Sequence, residues 1–220
     1  MPATGVHDPL SVNEDDTMKL LSASRAPSPR RVRIFLAEKG IDLPIEDIDL
    51  FTMEHRSDRF TELNPKQRVP VLLLDDGTAI SETMAICRYL EALYPEPNLF
   101  GENPMEIGLI EMWSRRIEFG LYSATAHVLR HTFPGMAAYE APQIVEWGEA
   151  NRPKVLAELA WLNDVLADRT YIAGERYTVA DITAMTAVDF IRAIKVVVPD
   201  DHVALKRWYE SVAARPSASA

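Results

Sequence analysis

Residues 64–93, with the sequence NPKQRVPVLLLDDGTAISETMAICRYLEAL, contain the pattern that decides the fold of this chain. Short apolar strands are predicted at residues 71–74 and 79–80, and an Asp-Asp-Gly turn separates them. An Asp-Gly pair between two apolar runs is a strong hairpin signal, because glycine tolerates the positive φ that a tight turn requires. A helix is predicted to begin within residues 81–83, so the hairpin places a helix N-terminus next to the proline loop that precedes it.

This helix N-terminus has the chemistry to bind an amino acid. Its first N–H groups are unpaired and carry partial positive charge, which suits a ligand carboxylate, and Glu82 could accept a ligand ammonium group. Pro70 lacks the N–H that a β ladder needs, so it belongs at a strand start or edge, where the Val69-Pro70 bond is compatible with the cis form. A cis bond would turn the Val69 backbone outward, where it could pair with an extended peptide.

The stretch resembles the glutathione-binding half of glutathione transferases through the residues NPxxxVPVLLLDDGTAISETMAICRYLE. In that family the residue before the cis proline pairs through its backbone with the cysteinyl part of glutathione, and a Glu-Ser pair binds the γ-glutamyl group. The resemblance assigns the first role to Val69, beside Pro70, and the second role to Glu82 and Thr83. Thr83 replaces the usual serine but keeps a hydroxyl group.

The composition narrows the class of protein. The 220 residues are 47% hydrophobic and 25% charged, as in an ordinary soluble globular protein. The 33 acidic and 23 basic residues give a formal net charge of −10, which opposes general binding to nucleic acid or to an anionic membrane. No run approaches the roughly 18 apolar residues of a membrane span, and the first residues lack a signal-peptide pattern. The lone Cys87, at core spacing in its helix, is predicted to be buried and inert, and we expect a cytoplasmic protein.

The N-terminal part is predicted to be a thioredoxin-like βαβαββα domain over residues 18–96. Residues 18–22 and 45–50 are predicted strands, and a helix joins them, with Ser28 as its expected N-cap ahead of a proline and Gly40 as its C-terminal stop. This β-helix-β unit should be a right-handed parallel crossover. The fold class is therefore α/β in the first domain.

The remainder is predicted to be all-helical, over residues 103–216, after a proline-rich stop at residues 94–97. Apolar residues recur at helical spacing in three segments: Ile110, Trp113 and Ile117; Val155, Leu159, Leu162 and Leu166; and Leu205, Trp208 and Val212. Thr178 and Asp181 form an expected capping box at the start of another helix. Residues 1–17 carry little periodicity and are expected to be a flexible extension.

The resemblance covers residues 18–216, because the segments YTVADIT and WYESVAARPS are similar to the helical domain of bacterial glutathione transferases. It implies a homodimeric enzyme that conjugates the thiolate of glutathione, its co-substrate, to a small hydrophobic electrophile without a metal. Two other classes stay open, since the acceptor pocket is built from variable side chains. They are a non-catalytic interaction module of the same fold and a glutathione-dependent isomerase, peroxidase or dehalogenase.

Reactivity is expected to depend on residues 22–31, ahead of the first helix. A free thiol titrates near a pKa of about 8.5, so a site that uses glutathione at neutral pH must stabilise its thiolate with a donor or positive charge. Similarity to theta, delta and zeta relatives places the usual catalytic Ser or Cys near Ala26, which cannot donate a hydrogen bond from its side chain. Ser28 is then the first candidate for the donor and Ser24 the second, with the alternative that Ser28 only caps the helix.

The glycyl carboxylate of glutathione needs a partner of its own. His55, in the segment MEHRSDRF, matches a stretch of theta-like relatives whose histidine helps to hold this carboxylate, although a lone loop histidine is more often solvated. One of Lys66, Gln67 and Arg68 is expected to assist, and Arg68 is our choice, with surface solvation as the alternative.

The acceptor pocket is expected on the first long helix of the second domain, where the resemblance places it above the thiol. Trp113, Arg116 and Tyr122 are its candidates, with the alternative that Trp113 belongs to the core. His127 and His131 lie four residues apart, but they are not part of an HExxH arrangement, so a metal site is not expected.

Overall fold

The computed structural model describes residues 18–220, and the predicted extension at residues 1–17 lies outside them. The N-terminal part is a thioredoxin-like α/β unit and the following part is helical, which confirms the predicted fold class. The elements of the α/β unit are β1 (Lys19–Ser22), α1 (Pro27–Lys39), β2 (Ile45–Asp47), α2 (Asp58–Leu63), β3 (Val71–Leu73), β4 (Ala79–Ser81) and α3 (Thr83–Leu93).

The four strands form one mixed sheet in the order β2-β1-β3-β4. β1 pairs in parallel with β2, and β3 is antiparallel to both of its neighbours. The predicted hairpin is present, and its register pairs Val71 with Ser81. Continuing this register by one residue brings Pro70 opposite Glu82, so the proline loop and the start of α3 are neighbours.

Strand β2 ends at Asp47, before the predicted end at residue 50. Asp49 accepts hydrogen bonds from the backbone N–H groups of Phe51 (2.8 Å) and Thr52 (3.3 Å), and these bonds turn the chain out of the sheet. The loop that follows β2 therefore leaves the sheet, and its residue Phe51 is 82% exposed.

Helix α1 begins at Pro27, which corrects the assignment of Ser28 as its N-cap. The N-cap is Ala26, whose backbone is extended (φ −87°, ψ 136°), as a following proline favours. A first turn that contains prolines is tolerated because its N–H groups have no acceptor within the helix. At the other end, Gly40 adopts the predicted left-handed conformation (φ 64°). The Ser28 hydroxyl thus has no capping role.

Helix α3 begins at Thr83, while Ser81 ends strand β4. Its N-cap is Glu82, which has φ 70° and no side-chain cap hydrogen bond. A positive φ costs a residue other than glycine about 1–3 kcal/mol, and residues in such conformations cluster at functional sites. The start of α3 is therefore strained and leaves its first N–H groups without a side-chain partner.

The helical part begins after residue 103 and contains a π-helical turn. Its elements are α4 (Pro104–Ile117), the π turn (Glu118–Tyr122), α5 (Ser123–Thr132), α6 (Val145–Val165), α7 (Val179–Phe190) and α8 (Val203–Ala213). The π turn joins α4 to α5 in one continuous run, because the residues at both junctions keep helical backbone angles. No helix within residues 18–220 is long and apolar enough to span a membrane.

The predicted capping box at the start of α7 is present. The N-cap Thr178 accepts through its side chain, and the Asp181 carboxylate accepts from the Thr178 backbone N–H at 3.0 Å. Asp181 also accepts from the Trp208 indole N–H of α8 and from the backbone N–H of Ile172, each at 2.9 Å. One fully buried carboxylate therefore joins the start of α7 to two other segments.

A single large core runs through both parts of the molecule, from Leu20 in β1 and Phe35 in α1 to Trp208 in α8. Ion pairs lie around this contact: Arg30 of α1 bonds to Asp189 of α7 at 2.6 Å, and two nitrogens of Arg215 bond to Glu38 at 2.7 and 2.6 Å. Cys87 is fully buried as predicted, and burial raises the pKa of its thiol to about 12.

Candidate active site

A cavity of about 810 Å³ lies between the α/β part and the helical part. The α/β part contributes residues 23–29, 47–51 and 67–69, and the helical part contributes Tyr122, Phe190 and one face of α5. The volume lies within the range of about 300–1,000 Å³ that is typical of small-molecule sites. The predicted catalytic loop therefore faces the helical part across an open space.

The hydroxyl groups of Ser28 and Tyr122 meet across this space, with 2.7 Å between the two oxygens. Ser28 lies in the first turn of α1, and Tyr122 is the last residue of the π turn. Arg31 is 1% exposed, and its guanidinium lies 5.2 Å from the centroid of the Tyr122 ring. The same guanidinium contacts Glu118 at 3.3 Å. The structure thus builds a hydroxyl pair with a buried cation behind it.

The loop ahead of α1 also presents Ser24 to the cavity. The Ser24 backbone N–H donates to Asp47 at 2.7 Å, and Arg33 donates to the Ser24 carbonyl oxygen at 3.0 Å. Within the described part of the chain, the Ser24 hydroxyl has no hydrogen-bond partner. Ala26 lines the cavity as well, but its methyl group offers no donor. Ser24 and Ser28 are therefore the two hydroxyl groups that this segment brings to the site.

His55 is 3% exposed and lines the cavity, so it is not the solvated loop histidine of the alternative interpretation. Its ring stacks on that of Tyr139, with 5.6 Å between centroids and 7° between planes. Burial, followed by the charges of Arg56 and Arg68, lowers the pKa of His55, so its ring is neutral at pH 7. The buried Nδ1 atom has no hydrogen-bond partner among residues 18–220.

Three arginine side chains bring positive charge to the wall of the cavity. Arg25, Arg68 and Arg130 line it, and no described carboxylate forms an ion pair with Arg68 or Arg130. Burial, followed by the charge of Arg130, lowers the pKa of Arg68, as expected for two like charges that face each other. An anionic ligand group would relieve this repulsion.

The proline loop supplies an unpaired backbone. The Val69-Pro70 bond is cis, Val69 lines the cavity, and neither its N–H nor its C=O bonds to another described residue. Glu82 and Thr83 lie beyond the cavity wall, next to this loop by the hairpin register. The Glu82 carboxylate is exposed, and the Thr83 hydroxyl has no partner in the described residues. This edge therefore offers an unpaired peptide group, a carboxylate and the N-terminus of a helix.

The structure does not bring Trp113 and Arg116, two of the three residues predicted for the acceptor pocket, to the cavity. Trp113 is 5% exposed, and its ring stacks on that of Trp161 in α6 at 5.5 Å. The Arg116 guanidinium lies 5.1 Å from the Trp113 ring. These side chains lie on the face of α4 that packs toward α6, whereas Tyr122, in the π turn, faces α1. Tyr122 is the one of the three candidates that lines the cavity.

Several cavity residues were missed by the sequence interpretation. Tyr139 stacks on His55 from a segment 84 residues away, and Phe190 packs against Tyr122 with 5.1 Å between ring centroids. Arg130 carries the positive charge of the helical wall. Neither composition nor spacing indicates such contacts, because they join residues that are far apart in the chain.

The pair His127 and His131 has ordinary packing partners. Their rings lie 6.1 Å apart, and His131 accepts the backbone N–H of Ile144 at 3.1 Å. Within residues 18–220, no cluster of three or more His, Cys, Asp or Glu side chains is arranged to hold a metal ion.

Comparison with family models adds independent evidence. Residues 26–93 match the model described as glutathione S-transferase, N-terminal domain, and residues 130–216 match the model described as glutathione S-transferase, C-terminal domain. The two matches cover the α/β part with its proline loop and most of the helical part.

Full-length relatives show the same similarity. Glutathione S-transferase 2 of Saccharomyces cerevisiae is 37% identical over 203 residues, which are 91% of this chain and 87% of the yeast protein. Glutathione S-transferase GstA of Escherichia coli is 31% identical over 83% of this chain and 87% of its own length. The crystal structure of a glutathione S-transferase domain-containing protein of Marinobacter aquaeolei is 39% identical, with a TM-score of 0.87 over 90% of this chain and 98% of its own.

Proposed function

This chain belongs to the glutathione S-transferase family, and from that premise we propose that it conjugates the thiolate of glutathione to a small, hydrophobic electrophile. The observation that carries the proposal is the cavity edge at Val69, where an unpaired backbone lies beside the N-terminus of α3. An extended γ-glutamyl peptide has a carboxylate, an ammonium group and peptide groups that match this edge in kind.

The residues at the cavity edge support a specific orientation for glutathione. The Val69 backbone would pair with the cysteinyl peptide group, and the first N–H groups of α3, with the Thr83 hydroxyl, would bind the γ-glutamyl carboxylate. Glu82 would accept the ammonium group. The glycyl carboxylate would lie near His55 and Arg68, where the His55 Nδ1 atom has no hydrogen-bond partner and the Arg68 guanidinium forms no ion pair within residues 18–220.

The sulfur of a peptide bound in this way would lie toward the start of α1. Ser28 is our proposed donor to the thiolate, because it lines the cavity, lies in the first turn of α1 and has no capping role. The partial positive charge at the N-terminus of α1 would stabilise the same anion. Ser24 is the second candidate, with a hydroxyl that no described residue binds.

The electrophile would bind on the helical side of the cavity. Tyr122, Leu129 and Phe190 provide apolar surface there, which supports a hydrophobic acceptor. In the conjugation step, the thiolate attacks the electrophilic carbon, a C–S bond forms, and the leaving group departs with the electron pair of the broken bond. The protein's part is to hold the thiolate and to orient the two substrates.

We also propose a cytoplasmic homodimer, as is typical of the family. Large apolar side chains at the surface, among them Ile45 (51% exposed) and Met105 (72% exposed), are consistent with burial against a second copy. Sedimentation analysis of the purified protein distinguishes a dimer from a monomer.

Isothermal titration with glutathione tests the binding proposal. We expect saturable binding, and Glu82→Gln should weaken it by about 10-fold or more, because a hydrogen bond to a charged group contributes about 1.5–3 kcal/mol. The matched control is Glu96→Gln, in the exposed segment after α3, which should bind like the parent protein.

Absence of binding at millimolar glutathione would contradict the proposed function. A conjugation assay with a chlorodinitrobenzene, in which the release of chloride is measured, then distinguishes an enzyme from a module that only binds glutathione. Ser28→Ala should lower the conjugation rate, and an unchanged rate in both Ser28→Ala and Ser24→Ala would exclude a loop hydroxyl as the thiolate donor.

A further inference from the structure

We propose that Tyr122 is a positioning residue for the Ser28 hydroxyl: the phenol donates to Ser28 Oγ and thereby leaves the single Ser28 proton to point at the glutathione sulfur. The inference rests on the proposed function, in which Ser28 is the thiolate donor. It assigns Tyr122, in the helical part, a role in orienting the hydroxyl of Ser28, in the α/β part.

The geometry that carries this inference is the 2.7 Å contact between the two hydroxyl oxygens. The residues are 94 positions apart in the chain and meet only because the two parts dock. Both line the cavity, and Ser28 is part-buried, so its hydroxyl lies at the boundary between protein and substrate space. A hydroxyl in this position has one proton to give, and its neighbour decides where that proton points.

The chemistry of the two groups favours Tyr122 as the donor in this pair. A phenol is a stronger acid than an alcohol and therefore the better hydrogen-bond donor. The buried Arg31 guanidinium, 5.2 Å from the centre of the Tyr122 ring, makes the phenol oxygen a weaker hydrogen-bond acceptor. Burial raises the pKa of Tyr122 by more than Arg31 lowers it, so the phenol keeps its proton at neutral pH. With Tyr122 as donor, the Ser28 proton is not used within the protein.

The Tyr122 ring is also held in place. Phe190 of α7 packs against it with 5.1 Å between centroids, and Arg31 lies over it. The backbone of Tyr122 belongs to the π turn, a rare local structure that is often found at functional sites. A fixed ring lowers the entropy cost of directing the serine hydroxyl.

The alternative is that Tyr122 merely helps the two parts of the molecule to dock. A docking contact would affect stability and the KM for substrates, but it would not change the ionisation of bound glutathione. The pKa of the glutathione thiol in the complex is therefore the decisive measurement. It can be followed by the ultraviolet absorbance of the thiolate and by the pH profile of kcat/KM.

The experiment compares Tyr122→Phe, Ser28→Ala and the double variant with the parent protein, each saturated with glutathione. We expect Tyr122→Phe to raise the thiol pKa by about one unit, which lowers the ratio of thiolate to thiol at a fixed pH about 10-fold. Ser28→Ala should raise it by at least as much, and the double variant should match Ser28→Ala, because Tyr122 acts through Ser28.

Other outcomes separate this inference from the proposed function. If Ser28→Ala raises the thiol pKa and Tyr122→Phe does not, the positioning role is wrong and the proposed donor stands. If Tyr122→Phe raises the thiol pKa by the same amount whether residue 28 is Ser or Ala, the phenol acts on the sulfur directly and the positioning role is wrong. If Ser28→Ala leaves the pKa unchanged, the donor assignment fails, and with it the inference.

Tyr177→Phe is the matched control. The Tyr177 hydroxyl is buried and has no hydrogen-bond partner among the described residues, and it does not line the cavity. Its removal should leave both the thiol pKa and kcat/KM unchanged. Circular dichroism and thermal unfolding of every variant show whether a lost effect reflects a lost fold.

Discussion

At the scale of single residues, Asp181 shows how one buried side chain can hold several segments together. Its two oxygens accept from Ile172 N and Trp208 Nε1 on one side and from the Thr178 backbone and hydroxyl on the other. All of these donors are buried, so none of them can turn to water if the carboxylate is removed. The main contribution of this carboxylate to stability is therefore that it accepts hydrogen bonds from buried donors.

We predict that Asp181→Ala lowers the free energy of unfolding by about 3–5 kcal/mol, because each buried donor left without a partner costs about 1–3 kcal/mol. Urea unfolding followed by circular dichroism measures the change. Asp164→Ala, an exposed aspartate of α6, is the control and should change stability by less than about 0.5 kcal/mol. A loss below about 1 kcal/mol for Asp181→Ala would show that water replaces the carboxylate.

The capping box was predictable from spacing alone, since Thr178 and Asp181 are neighbours in sequence and their interaction is local. The roles of Ser28 and His55 were not settled in this way. A serine before a proline fits a cap as well as a donor, and a histidine in a polar segment does not reveal that Tyr139 covers it. Only the packing of distant segments decides between such alternatives.

At the scale of elements, the contact between α5 and α6 depends on a glycine. A Cβ atom added to Gly148 of α6 would lie 2.5 Å from Thr132 Cγ2 and 3.0 Å from His131 Cβ. Both are short, constrained parts of α5, so the clash cannot be relieved by a small rotation of one side chain. The close approach of the two helices therefore requires a residue without a side chain at position 148.

We predict that Gly148→Ala destabilises the protein by about 1–3 kcal/mol, in the range of other overpacked contacts. The matched substitution is Gly108→Ala in α4, where an added Cβ would meet no atom within 4 Å. There, alanine should stabilise the protein by about 0.5–1 kcal/mol through its higher helix propensity. Thermal unfolding of both variants provides the comparison, and a shift of the same sign in both would contradict the packing argument.

Most elements were predictable because their signals are local: the Asp-Gly turn, the C-cap Gly40 and the helical spacing of apolar residues. The corrections fall where a local signal has two solutions. Pro27 and Pro29 both suit the first turn of α1, and the first of them starts the helix. Trp113 has the spacing of a pocket residue and of a core residue, and the structure buries it against Trp161 of α6.

At the scale of the whole molecule, polar contacts supplement the apolar core that joins the two parts. Glu38 of α1, with an 8% exposed side chain, accepts two hydrogen bonds from Arg215 and one from the Ser217 hydroxyl, beyond the end of α8. Burial by itself would raise the pKa of Glu38, but the bonds from Arg215 and Ser217 outweigh it and hold this pKa below its ordinary value. The contact therefore links stability to pH.

A carboxyl group whose pKa is lower in the folded protein adds stability above its unfolded pKa, near 4.3, and this stability is lost as the pH falls through the folded pKa. We predict that Glu38→Gln lowers the free energy of unfolding by about 1–2 kcal/mol at pH 7, allowing for the partial exposure of Arg215. The difference from the parent protein should shrink as the pH falls below about 4.

Urea unfolding at a series of pH values between neutral and acid conditions measures this difference. Glu149→Gln, which removes an exposed ion pair with Arg152 inside α6, is the control and should have little effect at any pH. A Glu38→Gln difference that is independent of pH would indicate lost packing in place of a lost charge interaction.

The order of the two parts along the chain was predictable, but their docking was not. Arg30 with Asp189, Glu38 with Arg215, and Ser28 with Tyr122 are separated by 159, 177 and 94 positions. Such pairs have no signature in a single sequence, and the third of them lines the cavity. The proline loop, the hairpin and the start of α3 are built within residues 64–93, so their arrangement was easier to anticipate than the packing of the helical part against them.

The burial of Cys87 has a practical consequence for chemical labelling. A thiol with a raised pKa inside the core has almost no thiolate at neutral pH, so it neither forms a mixed disulfide with glutathione nor reacts with an alkylating dye. Because the chain has one cysteine, a thiol-specific dye that becomes attached to the protein marks the molecules in which the core around α3 has opened. The folded enzyme therefore gives no signal in a thiol assay, and the amount of attached dye measures the fraction of molecules that have opened.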